Sequence, residues 1–148
     1  MNSDLQDLRD RAEIRELGLV YASAIDRLDE PALLSVFAPD AVMEGPKWRY
    51  EGHQAIASVI PILKDLYVSS WHAVHNQTVV LNGNLAHGET YCTARHLQKG
   101  GYLDNQVMTM TLRYQDEFAR LNGVWKYTRR RQIIDWTESG TIQIGRRE

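Results

Sequence analysis

SSWHAVHNQTVVLNGNLAHGETYCTARHLQKGG, residues 69–101, holds two runs rich in β-branched and aromatic residues around Asn82-Gly83, and closes on Gly100-Gly101. Asn-Gly and Gly-Gly pairs between alternating runs mark hairpin turns, because they supply the positive φ that tight connections demand. Asn122-Gly123 repeats the signal downstream. Together the three turns predict a meander of strands near residues 70–81, 84–98, 102–120 and 124–137. Such runs are far longer than the usual five or six residues or so. Strands of that length twist and bend, and a strongly curved sheet can wrap around a helix.

Upstream of residue 68 the pattern is helical. Ser3 and Gln6 have capping-box spacing and predict a helix start. Ile14, Leu17, Tyr21, Ile25 and Leu28 recur at three- and four-residue steps and form one apolar stripe. Leu5, Leu8, Ala12 and Leu19 form a second on nearly the opposite side, so the helix is expected to be covered on both. Asp29-Glu30-Pro31 ends it and starts a short helix that buries Leu33, Leu34 and Phe37 and stops at Pro39-Asp40. Residues 41–51 read as a hairpin turning at Gly45-Pro46, and a third helix spans about His53 to Tyr67, kinked or split by Pro61. Helices first and strands after give an α+β class. The expected form is a single domain, 1–148, cone-shaped, with a curved antiparallel sheet wrapped around the N-terminal helices and a pocket between them.

A chain of 148 residues can build a core without staples. Its net charge of −2 argues against a nucleic-acid surface, which would show a basic excess. A lone cysteine, Cys92, cannot close an internal disulfide and favours a reducing compartment. The N-terminal segment is charged throughout and lacks a signal-peptide core, and no run approaches the roughly 20 apolar residues of a membrane span. The expectation is a cytoplasmic protein with neither nucleic-acid nor membrane partners.

Several residues invite chemistry. Asp26 extends the rhythm of Leu8, Ala12 and Leu19, a position the pattern would otherwise fill with an apolar group; it reads equally well as a solvated helix-end carboxylate. His72 opens the first long strand, and alternation places it with Val74, Asn76, Thr78 and Val80, while Trp71, His75 and Gln77 face the other way. Histidine beside aspartate is the commonest way to hold a general base near neutral pH. The His72-x-x-His75 spacing does not make a metal site: no third ligand stands at a motif spacing, and two strand residues three apart point to opposite faces. Tyr21 has core spacing, and its hydroxyl needs a partner if buried. Arg129, Arg130 and Arg131 alternate sides in a strand, so they are not one patch; an inward arginine would be paired or anion-binding. His87 and His96 lack a recognisable partner pattern, and Met108, Met110, Leu112 and Tyr114 form an alternating lining.

The runs Ile14-Arg15-Glu16-Leu17, Tyr21-Ala22-Ser23-Ala24-Ile25-Asp26, Phe37-Ala38-Pro39-Asp40-Ala41-Val42, Glu51-Gly52-His53-Gln54-Ala55-Ile56, His72 with Asn76, and Asn122-Gly123-Val124-Trp125-Lys126-Tyr127 are similar, in this order, to the SnoaL-like group of the nuclear-transport-factor-two-like (cystatin-like) superfamily. Within it the chain most resembles scytalone dehydratase, bile acid 7α-dehydratase and hexachlorocyclohexane dehydrochlorinase. The resemblance implies that Asp26 and His72 are a catalytic pair, that Tyr21 is a polar site residue, and that Arg130 matches an active-site arginine. Because Arg130 lies opposite Trp125 and Tyr127 by alternation, its transfer requires a bulge or a looser pocket.

That resemblance leads us to expect a cofactor-independent lyase, of dehydratase or dehydrohalogenase type, acting on a small hydrophobic ring-containing molecule. His72 would be the base, oriented by Asp26, with Tyr21 and Arg130 binding substrate and no metal. Fold alone does not fix activity. A ketosteroid-isomerase-like or polyketide-cyclase-like enzyme, or a non-catalytic ligand-binding or oxygenase small-subunit-like module, are the alternatives. An open curved sheet leaves a face or edge to cover, so a homodimer or homotrimer is expected.

Overall fold

The computed structural model describes residues 3–100 and 105–143. Its elements are α1 (Ser3–Arg27), α2 (Glu30–Ser35), β1 (Phe37–Gly45), β2 (Trp48–Glu51), α3 (His53–Ala57), α4 (Val59–Leu66), β3 (Tyr67–Asn82), β4 (Leu85–Gln98), β5 (Gln106–Leu121) and β6 (Val124–Thr141). This is the predicted α+β segregation. The strands form one curved, unclosed sheet in the order β2-β1-β6-β5-β4-β3, with α1 packed most heavily on β3. Neighbours are antiparallel except β1 and β6, which run parallel. No described helix is long and apolar enough to cross a membrane.

The hairpin turns set the register. Leu121 pairs with Val124 across Asn122 and Gly123, whose φ values of 51° and 82° make the two-residue connection that follows sheet twist. The β3–β4 turn sits one residue later than predicted: Asn82 still pairs, with Leu85, and Gly83 takes the positive φ of 61°. Of the expected Gly100-Gly101 turn, Gly100 has φ 99°, and Gly101 lies outside the described residues.

Two bulges decide which side chains face inward. In β3 the register shifts between Val74 and Gln77. One extra residue exchanges the two faces of a strand beyond it. Ser70 and His72 therefore turn inward before the bulge, and Gln77, Val79 and Leu81 after it. Strict alternation had placed Asn76, Thr78 and Val80 with His72; instead Val80 is 55% exposed. In β6, Arg129 opposes Glu117 and Tyr127 opposes Phe118, leaving Thr128 as the extra residue. That bulge brings Arg130 inside with Trp125 and Tyr127, all three buried.

Along α1 the stripe through Ile14, Tyr21 and Ile25 enters the core with Phe37, Phe118 and Tyr127. The second stripe is not covered: Leu5, Leu8 and Leu19 are exposed. At the β3 edge, helix and sheet meet through polar side chains. β3 is an edge strand, and such an edge carries unpaired backbone groups. Arg11 donates to the Val79 carbonyl at 2.7 Å, Arg15 to the His75 carbonyl at 2.7 Å, and Asp26 accepts the His72 N–H at 2.9 Å. Residues 11, 15 and 26 lie on one helical face.

Asp29 caps α2, accepting the Ala32 N–H at 3.0 Å, with Pro31 in the first turn. That helix ends at Ser35, earlier than predicted, because Phe37 already belongs to β1. The third predicted helix is split at Ser58, and Pro61 falls in the first turn of α4, where its missing N–H leaves no gap in the ladder.

Candidate active site

Asp26 and His72 come from α1 and β3 and meet directly. His72 Nδ1 is 2.7 Å from Asp26 Oδ1, the His72 backbone N–H reaches Oδ2 at 2.9 Å, and the Ser70 hydroxyl donates to Oδ1 at 3.1 Å. Desolvation alone would raise the Asp26 carboxyl, but the His72 ring, the backbone N–H and Ser70 outweigh it and hold it below its ordinary value. An ionised carboxylate only accepts hydrogen bonds. Nδ1 of His72 is therefore the donor in this contact, which leaves Nε2 clear of the carboxylate. Both side chains are largely removed from solvent, at 5% exposure for His72 and 18% for Asp26.

His72 lines a cavity of about 300 Å³ between sheet and helices. Its walls are aromatic and aliphatic, including Trp48, Tyr50, Leu63, Tyr67 and Met110, with Tyr21, Tyr114, His96 and Gln132 as the other polar-tipped members. A larger groove of about 460 Å³ passes Trp71, Arg95 and Glu138 but holds no imidazole. His75 is exposed and bonds Thr93 at 2.7 Å, so the two histidines of the His-x-x-His run do not share a centre.

Tyr21 is buried at the cavity wall, its hydroxyl 3.8 Å from the Met43 sulfur. Arg130 is fully buried, as the inward bulge dictates, yet it is not among the cavity-lining residues. Its guanidinium lies against the rings of Tyr114, Tyr21 and Tyr127 at 3.7, 4.2 and 4.6 Å from their centroids, and pairs with Asp116 at 3.2 Å. Expected to bind substrate directly, Arg130 sits instead behind the tyrosines that form the wall. Burial pushes Asp116 up to about 7, against the pull of Arg130.

His96 was not singled out by sequence. It is buried at the cavity wall, its ring 5.6 Å from that of His72 and 4.5 Å from that of Tyr67, and its Nδ1 has no hydrogen-bond partner. Desolvation first, and the neighbouring His72 second, push it down to about 4, so its imidazole is neutral near pH 7. Its place follows from the bulged register, which sets His96 on β4 directly opposite Ser70.

Residues 6–131 match the profile of the SnoaL-like domain. The uncharacterized protein Rv2910c of Mycobacterium tuberculosis is 30% identical over 129 residues, covering 84% of each chain. Among solved structures, a type 2 hexachlorocyclohexane dehydrochlorinase superposes with a TM-score of 0.89 at 22% identity, covering 97% of this chain and 98% of that one. A candidate scytalone dehydratase from Novosphingobium aromaticivorans superposes with a TM-score of 0.82 at 18% identity, over 96% and 97% of the two chains. At such identities these structures establish a shared architecture.

Proposed function

The chain belongs to the SnoaL-like domain family, and from that premise we propose that it is a cofactor-independent lyase acting on a small hydrophobic ring-containing molecule. The observation that carries the reading is the 2.7 Å contact between His72 Nδ1 and Asp26 at the wall of an aromatic cavity. Nε2 of His72 removes a proton from a carbon next to an activating group. The C–H electron pair becomes the new double bond, and the bond to the leaving group breaks with its electrons leaving as hydroxide or halide. Asp26 fixes the tautomer and stabilises the imidazolium that forms. Tyr21 and the neutral His96 offer the substrate hydrogen-bonding tips in an otherwise apolar wall.

The test is a panel of hydroxylated and halogenated ring compounds incubated with wild type and Asp26→Asn. Released halide and unsaturated product are the readouts. Elimination by wild type, reduced at least a hundredfold or so in Asp26→Asn, is the expected result. Equal turnover by the two proteins removes the role given to Asp26. The reading includes self-association through the sheet's outer face, where Trp71 and Trp136 are 65% and 55% exposed. Sizing chromatography should return a dimer or trimer; a monomer at micromolar concentration would count against it.

A further inference from the structure

Neither Trp48 nor Tyr50 has a part in the mechanism so far, yet both line the cavity that holds His72. They stand two apart on β2, alternating with the exposed Arg49 and Glu51, so both project to the inner side of the sheet. Their rings form a tilted pair, with centroids 5.5 Å apart and planes at 39°. Both are partly buried against the core. β2 is a four-residue edge strand, and the opposite edge of the sheet is β3, which carries His72. The aromatic pair and the imidazole therefore reach one cavity from the two ends of the strand order.

The indole is held in place by what the facing residue lacks. Gly45 pairs with Trp48 across the turn at Pro46 and Lys47. A Cβ at position 45 would stand 2.4, 2.5 and 2.6 Å from three atoms of the indole, so the ring lies directly on the Gly45 backbone. Gly45 is not among the glycines of positive φ, so no turn conformation calls for it. Glycine inside a strand weakens the strand and marks a close approach; here the approach is that of the Trp48 ring.

An aromatic face attracts another flat ring through contact area and through its quadrupole, beyond what burial alone gives. A saturated ring of the same carbon skeleton is puckered, has no such quadrupole and meets a flat surface with fewer atoms. The aliphatic walls of the cavity, Leu63 and Met110 among them, draw no such distinction.

We propose that Trp48 and Tyr50, with the indole seated on Gly45, are the specificity-determining platform of the cavity, selecting ligands that present a flat, unsaturated ring over saturated rings of the same skeleton. The inference deepens the lyase reading and rests on it for its part in turnover, but ring selection is measured by binding alone.

The probes are 2-naphthol and decahydro-2-naphthol, which share a skeleton and a hydroxyl and differ in flatness, with binding followed by equilibrium dialysis. Wild type is expected to bind 2-naphthol more tightly. Trp48→Leu should weaken 2-naphthol roughly 2- to 10-fold, the range of one aromatic pair, and leave decahydro-2-naphthol unchanged. Trp48→Phe keeps an aromatic face and should retain most of the preference. Gly45→Ala keeps the tryptophan but displaces its ring, and should reproduce the loss seen in Trp48→Leu. A merely structural role for Trp48 would lower both ligands together, and that parallel loss overturns the proposal. So does a wild type that binds decahydro-2-naphthol at least as tightly as 2-naphthol, or binds neither, a result that needs no variant. Trp48-dependent ring preference without any elimination would keep the platform and remove the lyase reading. Elimination whose preference between flat and saturated substrates is unmoved by Trp48→Leu would do the reverse.

Discussion

Helix α1 carries two carboxylates that reach the sheet, and they are satisfied in opposite ways. Asp10, 3% exposed, accepts from Gln6 at 2.9 Å, from Arg120 at 2.5 Å and from the Trp125 indole at 3.0 Å. Asp26 accepts from an imidazole, a backbone N–H and a serine hydroxyl. The partners of Asp10 keep one charge state at any ordinary pH, and Asp10 lines none of the cavities described. Asp26 holds the one partner that can gain and lose a proton, and that partner borders an open volume. Both carboxyls are depressed, Asp10 because Trp125, Gln6 and Arg120 together outweigh its desolvation. A buried, hydrogen-bonded carboxylate is therefore no functional signal in itself. On the function proposed above, what separates an anchor from a reacting pair is whether its partner titrates and faces empty space.

The sharpest way to break this contrast is to remove each partner. His72→Ala should lower elimination by about 10²- to 10⁴-fold, the range for a lost general base, while the melting temperature falls little. Asp26→Asn keeps the shape but reverses the tautomer preference, and should lose a similar factor. Asp10→Ala should do the opposite. It strands Arg120 and the Trp125 indole, costs about 3 kcal/mol by denaturant unfolding, and leaves turnover per folded molecule near wild type. A large activity loss in Asp10→Ala at full folding would erase the distinction drawn between the two carboxylates.

Titration tests the site wall. Unfolded, His96 gains a proton near its ordinary value of 6.5; folded, it does so only at about 4. Between these values the unfolded chain binds more protons, so stability should rise with pH from about 4 to 6.5. His96→Gln should flatten that rise in melting temperature, and an unchanged slope would show that His96 is not held neutral. Asp10 and Asp26 act lower down. Their depressed values contribute stability that is complete above the ordinary 3.8 and lost as pH falls through the folded values. Asp10→Asn and Asp26→Asn should each soften acid unfolding in that lower window.

The long strands, the hairpins and the inner stripe of α1 were legible because turn chemistry and periodicity are local. The meeting of Asp26 with His72 was legible through resemblance, since nothing in the helical pattern alone separates Asp26 from a solvated helix end. What escaped was whatever a bulge controls. Counting outward from the β3–β4 turn without the shift after Val74 pairs His72 with Arg95, whereas the bulged strand pairs it with Ala94 and sets His96 against Ser70. The extra Thr128 in β6 turns Arg130 inward. A bulge leaves little trace in composition, because it answers to strain and packing across the whole sheet. Asp10 was missed for a related reason: its partners Arg120 and Trp125 are more than a hundred residues away in sequence.

The smallest expected effect concerns the outer stripe of the same helix. Leu8 is 66% exposed, and Leu5 and Leu19 are 45% and 41% exposed, so this apolar row meets solvent where periodicity alone predicts cover. The helix has no need of that row for docking. Arg11, Arg15 and Asp26 already tie it to the β3 edge, Asp10 to β5 and β6, and the Ile14 stripe to the core. Leu8→Gln should therefore shift unfolding free energy by no more than about 0.5 kcal/mol, as surface changes do. Elimination should be unaffected, because Leu8 touches neither Asp26 nor the cavity. A loss of several kcal/mol at this position would mean that the row is covered by another copy of the chain. Concentration-dependent melting would then separate that burial from an error in the docking of α1.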